Sequence, residues 1–250
     1  MDLKLDNVML TRATKSIHRD GNLLIKLFVE DYSIADVLNE AHNLAIVEEA
    51  GFTVPKLMSV QKIGNRWAIV TEFVEGKTLG QLLAEKPTSA YAFLERFVDI
   101  QLDMHKYSAA KLRHNTEKMY AYIDQSGLDA TTRYELHTRL ASLPRHSKLC
   151  HGDFCLSNII ITPSDKAYVI DWAHATQGNA SADAARSYLM FRLVGEHARA
   201  DQYLELFCRK SDTARQYVQK WMAIVAAAQL TKGKPEEKEF LLNWAHVVEY

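Results

Sequence analysis

The hydrophobic pattern of this chain changes period once, near residue 75, and that change limits what the chain can fold into. Before it, short segments rich in Val, Ile, Leu and Thr read as strands around one helix. Asn7 to Ile17 and Asn22 to Val29 are separated by Arg19-Asp20-Gly21-Asn22, whose Asp-Gly pair is a hairpin-turn signal. Ile34 to Ala50 places Ile34, Val37, Leu38, Ala41, Leu44 and Ala45 on the helical period, and Gly51 suits the residue that ends a helix. Lys56 to Ile63 and Trp67 to Phe73 are two more strands, joined at Gly64-Asn65. After Gly76 the helical period dominates: Ser89 to Tyr107, Thr116 to Gln125, Ala130 to Ser142, Ala182 to Leu193, Arg199 to Arg209 and Ser211 to Leu230. A last helix opens at Pro235 and is expected to bury Phe240, Leu241, Trp244, Val247 and Val248. One strand pair, Ser157 to Thr162 and Ala167 to Asp171, interrupts the helices, with Pro163-Ser164-Asp165 as its turn. The expectation is an α+β chain in two parts, a β-rich 1–74 and a mainly helical 75–250.

Charge removes several classes of function. Thirty basic and 31 acidic residues leave a formal net charge of -1, so no single-sign field is available for nucleic acid or an anionic membrane. No apolar run approaches the roughly 20 residues of a membrane span. The first residues alternate charge and apolarity and contain no secretory h-region, so a cytoplasmic protein is expected. Three cysteines, Cys150, Cys155 and Cys208, are an odd set for a disulfide framework. Cys150 and Cys155 flank His151 and Asp153, but no second CxxC or HxxxH pair completes a zinc tetrahedron.

The chemistry concentrates in two strings. His151-Gly152-Asp153-Phe154-Cys155-Leu156-Ser157-Asn158 sets Asp153 and Asn158 five positions apart on a loop entering a strand. Thirteen positions after Asn158, at the end of the next strand, stands Asp171 in Val169-Ile170-Asp171-Trp172. Phosphoryl transfer asks for a cation to screen phosphates, a carboxylate to take the hydroxyl proton, and fixed positions. Mg²⁺ prefers oxygen donors, so one amide oxygen and one carboxylate on adjacent strands suit it, and a second carboxylate is left to face a hydroxyl. Lys26 lies in the apolar strand Leu23-Leu24-Ile25-Lys26-Leu27-Phe28, on the face opposite Ile25 and Leu27. There it either points to solvent or reaches an anion. Glu40, on the following helix, either decorates an exposed face or pairs with Lys26.

HGDFCLSN followed by VIDW resembles the catalytic and metal-binding loops of the aminoglycoside phosphotransferase and choline kinase superfamily. That superfamily is similar to the protein kinases, whose loops read HRDxxxxN and DFG. The resemblance spans about residues 8 to 200 and implies a protein-kinase-like two-lobe fold, with a small antiparallel sheet and a mainly helical second lobe. It implies that Asp153 is the catalytic base, that Asn158 and Asp171 bind Mg²⁺, and that His151 braces the loop. Trp172 stands where protein kinases have the Phe after the metal-binding Asp. Lys26 would hold the α and β phosphates of ATP or GTP, with Glu40 as its partner. Thr71 to Gly76 would be the hinge, with the backbone of Glu72, Phe73 and Val74 meeting the base. Met104-His105 resembles the family's Leu-His pair. Asp183-Ala184-Ala185 resembles its Asp-Leu-Ala, whose aspartate steadies the catalytic loop; N-capping accounts for Asp183 as well.

The reaction so implied moves the γ-phosphoryl group to a hydroxyl of a small molecule. An aminoglycoside, choline or ethanolamine, an amino sugar, homoserine and a thio-sugar all fit. One departure bears on it: Thr11 to Ser16, ahead of Lys26, contains no glycine, and the resemblance to small-molecule kinases with a serine or threonine loop there implies Thr14 or Ser16 as the phosphate contact in place of a Gly-rich cover. The same absence keeps open a nucleotide-binding regulator without turnover. A protein kinase does not fit, because no Ala-Pro-Glu follows Asp171 and Ala182, where the next helix is expected, is only eleven positions on. Glu236, Glu237 and Glu239 either favour the dipole of the last helix or attract a cationic amine.

Overall fold

The computed structural model describes residues 3–246; Val247 and Val248 lie outside the described residues. In chain order the elements are β1 (Val8–Thr11), β2 (Lys15–Asp20), β3 (Leu23–Phe28), α1 (Ile34–Glu49), β4 (Leu57–Ile63), β5 (Arg66–Glu72), β6 (Lys77–Thr78), α2 (Leu79–Glu85), α3 (Ala90–Met104), α4 (Asn115–Gln125) and α5 (Ala130–Ser142). Then come β7 (Lys148–Cys150), β8 (Ile159–Ile161), β9 (Ala167–Val169), β10 (Thr176–Gly178), α6 (Ala180–Leu193), α7 (His197–Ser211), α8 (Arg215–Gln219), α9 (Met222–Leu230) and α10 (Pro235–Ala245). They group into two compact units: Met1–Pro87 with Leu156–His174, and Thr88–Cys155 with Ala175–Tyr250. Among the described residues no helix is long and apolar enough to cross a membrane.

The first unit is built on an antiparallel sheet in the order β1-β2-β3-β5-β4. Its two faces follow from the two-residue period of the strands. Ile25 and Leu27 pack with Ala68 and Val70 on one face. Phe28 and Ile69 pack with Val37 and Ala41 of α1 on the other. Lys26 alternates with Ile25 and Leu27, so it shares the α1 face with Phe28. On α1, Glu40 stands one turn from Val37 and beside Ala41, and it too is buried. The helix is fixed at its start by Ser33, whose hydroxyl accepts from the Asp36 N–H at 3.3 Å.

Segment 156–174 belongs to this unit although the change of pattern near residue 75 set it with the helical part. The reason is pairing: β6 joins β8, and β8 joins β9, in a three-stranded sheet. Asn43 of α1 ties the segment further by donating to the Trp172 carbonyl at 3.1 Å.

The second unit is helical, with α6 packed against α7 and α9, and α3 against α7. Phe97, Phe154, Phe191 and Tyr203 form its aromatic centre, with Phe97 and Phe154 ring centroids 4.6 Å apart. Burial of Phe154 anchors the loop that carries Asp153, and the Ser187 hydroxyl donates to the Phe154 carbonyl at 2.8 Å.

Several elements differ from the sequence reading. Asn7 to Ile17 is two strands, not one, broken where the Arg12 N–H turns back to the Lys15 carbonyl at 2.8 Å. Ser211 to Leu230 is not one helix: Asp212 takes φ 52°, which stops α7, and α8 and α9 follow. The predicted strand from Ser157 begins with a 3-10 turn, Leu156–Asn158. Four short elements, α2, β6, β7 and β10, had no expectation attached.

Candidate active site

In the first unit a chain of charge runs from α1 to the end of β9. Lys26 Nζ donates to Glu40 Oε1 and, at 3.1 Å, to Asp171 Oδ1. The other Asp171 oxygen, Oδ2, accepts from Lys15 Nζ at 3.4 Å. Burial alone pushes the Lys26 ammonium down, but the Glu40 and then the Asp171 carboxylates more than offset it, and its pKa stands above the ordinary lysine value. Lys15 goes the other way: burial and then the Lys26 charge hold it below the ordinary value. An additional negative ligand would favour both ammoniums.

Asp171 itself sits at φ 67°, a left-handed conformation that aspartate tolerates better than most residues. Such a backbone persists only where its surroundings hold it. Here Trp172 does so, since it is buried, its indole N–H donates to the Val169 carbonyl at 3.0 Å, and its ring meets Phe52 edge-on. The Ile170 N–H donates to the Asn158 carbonyl at 2.9 Å, which ties the two candidate metal-binding residues to one hairpin. The Asp171 side chain remains 33% exposed.

Glu72 and Phe73, expected to meet the base, are held from their own sheet. The Glu72 N–H donates to the Lys56 carbonyl and the Phe73 N–H to the Asn22 carbonyl, at 2.9 and 2.7 Å. The Arg19 guanidinium lies 3.9 Å from the Phe73 ring centroid. Val74, next along, makes no backbone hydrogen bond among the described residues. Ser16, one of two expected phosphate contacts, shares a hydrogen bond with His18 Nε2 at 2.8 Å. Lys15 between them is the side chain that reaches the site, and sequence reading did not single it out.

In the second unit the loop around Asp153 is held by Asp183. Gly152 takes φ 77°, which a β-carbon would strain, and this turns its N–H onto Asp183 Oδ1 at 2.7 Å. The His151 N–H reaches Oδ2 at 3.3 Å, and His105 Nε2 meets the same oxygen at 3.1 Å. The Asp183 side chain is 0% exposed. Helix α6 is capped by Asn179, whose Oδ1 accepts from the Ser181 N–H at 2.9 Å, so Asp183 is a loop brace and not an N-cap. His151 braces the loop as well, its Nδ1 lying 3.2 Å from the Asp153 N–H. Cys150 lies beside His105 and Asp183, but two backbone N–H groups and His105 already take that carboxylate.

Asp153 has a partner the sequence did not reveal. Arg186, one turn after Asp183 on α6, is buried and donates to Asp153 Oδ1 at 3.2 Å. Its other terminal nitrogen donates to Gln229 Oε1 at 2.6 Å, and Gln229 in turn donates to Glu237. The i, i+3 spacing from Asp183 was the only signal for Arg186. Glu237 is occupied by Gln229 and by Lys234 at 2.7 Å, which leaves it poorly placed to receive an amine.

A family model described as the phosphotransferase enzyme family matches residues 12–217. No curated protein matches the sequence. Solved structures do match. A thermostable mutant of aminoglycoside phosphotransferase APH(4)-Ia, in ternary complex with AMP-PNP and hygromycin B, is 16% identical with a TM-score of 0.70, covering 97% of this chain and 91% of that one. Aminoglycoside phosphotransferase APH(3'')-Id from Streptomyces rimosus is 19% identical with a TM-score of 0.64, covering 89% and 91%. Choline kinase LicA from Streptococcus pneumoniae is 16% identical with a TM-score of 0.62, covering 95% and 88%. At these identities the likeness carries the fold alone, and the fold is the α+β, protein-kinase-like one expected from the sequence.

Proposed function

Because the chain belongs to the phosphotransferase enzyme family, we propose that it moves the γ-phosphoryl group of ATP or GTP to a hydroxyl of a small molecule. The observation that carries this reading is the buried ion-pair chain Glu40–Lys26–Asp171, which sets an ammonium and a carboxylate side by side on one sheet unit. A charge chain of this kind is costly to bury unless it is well paired, and this one leaves part of the Asp171 carboxylate open. Two of the matched structures support the donor and acceptor classes, one holding AMP-PNP with hygromycin B and one being a choline kinase.

In this reading Lys26, held by Glu40, anchors the nucleotide phosphates. The backbone of Glu72 to Val74 meets the base, which leaves ATP and GTP both acceptable. Asn158 and Asp171 fit Mg²⁺, since both offer oxygen and Asp171 already sits among positive charge. Bound there, Mg²⁺ supplies the charge that screens the nucleotide phosphates. Asp153 accepts the proton of the acceptor hydroxyl, and Arg186 keeps its carboxylate in one orientation. Lys15 takes the part of the missing glycine-rich cover, offering an ammonium to phosphate where other chains offer backbone N–H groups.

Two measurements test this. Calorimetry of a nonhydrolysable ATP analogue should show Asp171→Ala weakening Mg²⁺-dependent binding by about tenfold or more, about 1.4 kcal/mol. Equal affinity would remove Asp171 from the nucleotide site. Lys15→Ala should raise the nucleotide KM by about tenfold, the effect of about 1.4 kcal/mol of lost phosphate attraction. Thr14→Ala should leave it unchanged, and the reverse pattern would return the phosphate contact to the threonine.

A further inference from the structure

A line of hydrogen bonds leads from helix α10 to Asp153. Helix α10 packs on α9, and α9 packs on α6. Each of the three contributes one polar side chain. Arg186 on α6 donates through Nη2 to Asp153 Oδ1 at 3.2 Å and through Nη1 to Gln229 Oε1 at 2.6 Å. Gln229 on α9 donates through Nε2 to Glu237 Oε2 on α10. Lys234, just ahead of α10, closes the line on Glu237 Oε1 at 2.7 Å.

Each link has a direction. Gln229 is 2% exposed, and an amide that far from water costs free energy unless both its ends are paired. An amide offers an acceptor at one end and donors at the other. Here the acceptor faces a guanidinium and the donors face a carboxylate; turned over, the group would oppose both charges. Burial alone pushes the Glu237 carboxyl up, but Lys234 and Gln229 hold it below the ordinary glutamate value, so it carries the charge the amide needs. Arg186 is buried too, and the Gln229 oxygen holds Nη1 at shorter range than Asp153 holds Nη2. The plane of the guanidinium is therefore set from the α9 side. Without that hold, Nη1 could turn onto Asp153 as well, in the two-toothed grip that guanidinium and carboxylate favour. A carboxylate gripped by both oxygens has less to offer a hydroxyl.

The dipole of α10 does not account for Glu237, since Glu236 in the same first turn is exposed and meets the dipole as well. Nor does α10 depend on the line for its place. Leu241 and Ala245 are buried, and Trp244 stacks on Tyr188 of α6 with ring centroids 5.8 Å apart.

We propose that Gln229 and Glu237 are positioning residues for Asp153: they hold Arg186 so that it meets the carboxylate through one nitrogen and leaves it able to receive the acceptor's proton. This rests on the phosphotransferase reading, in which Asp153 is the base.

The test is turnover of the full chain, read as ADP release from ATP and Mg²⁺. Water is the acceptor in every sample, and choline, ethanolamine, glucosamine and homoserine are added in turn. No ADP release from the parent would overturn the phosphotransferase reading and this proposal with it. Given release by the parent, Gln229→Leu and Glu237→Leu should each lower kcat by about tenfold or more at an unchanged nucleotide KM. Glu237→Gln keeps an acceptor for the amide and should restore most of that loss, and Glu236→Gln should leave kcat at the parent value. In the Arg186→Met background, adding Gln229→Leu should slow the enzyme no further, because the line acts only through the guanidinium. Thermal unfolding is followed alongside; where Gln229→Leu does not fold, Glu237→Leu in the same background carries the test. Parental kcat in both leucine variants would overturn the proposal and leave the phosphotransferase reading standing. So would losses that multiply in the double variant, which would mean that the two residues act apart from Arg186. A rise in nucleotide KM with kcat kept would overturn it too, by assigning the line to the donor.

Discussion

An Asp153→Asn enzyme should bind nucleotide as the parent does and turn acceptor over roughly 10²- to 10⁴-fold more slowly. The two side chains have the same shape, so the expected loss is one of basicity. The asparagine carbonyl still accepts from Arg186, whose other nitrogen keeps its hydrogen bond to Gln229. Phe154 stays buried and holds the loop from below. The left-handed turn at Gly152 and its hydrogen bond to Asp183 do not involve the Asp153 side chain. The amide cannot take a proton from a hydroxyl, however, and an alcohol whose proton has nowhere to go is a poor nucleophile. The remaining activity comes from positioning and from the charges on the nucleotide side, which the variant leaves in place. Steady-state turnover, read with calorimetry of the ATP analogue, separates the two effects. Unchanged turnover would take Asp153 out of the reaction, and lost nucleotide binding would point to a damaged fold instead.

What could be read in advance divides along a physical line. Asn158 and Asp171 lie at the ends of one short hairpin, whose pairing fixes their spacing, so their relation survives in the one-dimensional record. Lys26 was legible because a charge in an apolar strand has two faces to choose from, and Ile25 and Leu27 claim one. The sheet, the helix after it and most helical spans follow from period alone. Lys15 and Arg186 were not legible. Each owes its place to packing between elements far apart in the chain, which no local period encodes. Lys15 was hidden further because the Arg12 to Thr14 turn has neither glycine nor proline to mark it. The stop at Asp212 was missed for a similar reason, since an aspartate in the left-handed region is seldom announced by its neighbours. Asp183 was ambiguous in sequence because helix starts and loop braces favour the same residue, and only the hydrogen bond that Asn179 Oδ1 accepts from the Ser181 N–H assigns the cap elsewhere.

That assignment gives Asp183→Ala the largest expected effect on stability. The carboxylate is fully buried and accepts from the Gly152 N–H, the His151 N–H and His105. Its removal leaves two backbone donors and an imidazole without an acceptor, in a place that water reaches poorly. Each such group costs about 1–3 kcal/mol, and breaking a buried charged network costs about 3–5 kcal/mol. For a chain of this size that corresponds to a fall in Tm of roughly 10 °C. Turnover should fall as well, because the Gly152 turn that aims Asp153 loses its partner. The pH dependence carries the same mark. Burial alone pushes the Asp183 carboxyl up, but His105 and the Gly152 N–H hold it below the ordinary aspartate value. A group with a depressed folded pKa stabilises the protein above its unfolded value, about 4, and loses that contribution as pH falls through the folded one. The stability gap between parent and variant should therefore be constant from neutral pH down to about 5 and shrink below about 4. Denaturant unfolding across that range measures it, and a variant as stable as the parent at pH 7 would show that the loop around Asp153 is held by something other than this carboxylate.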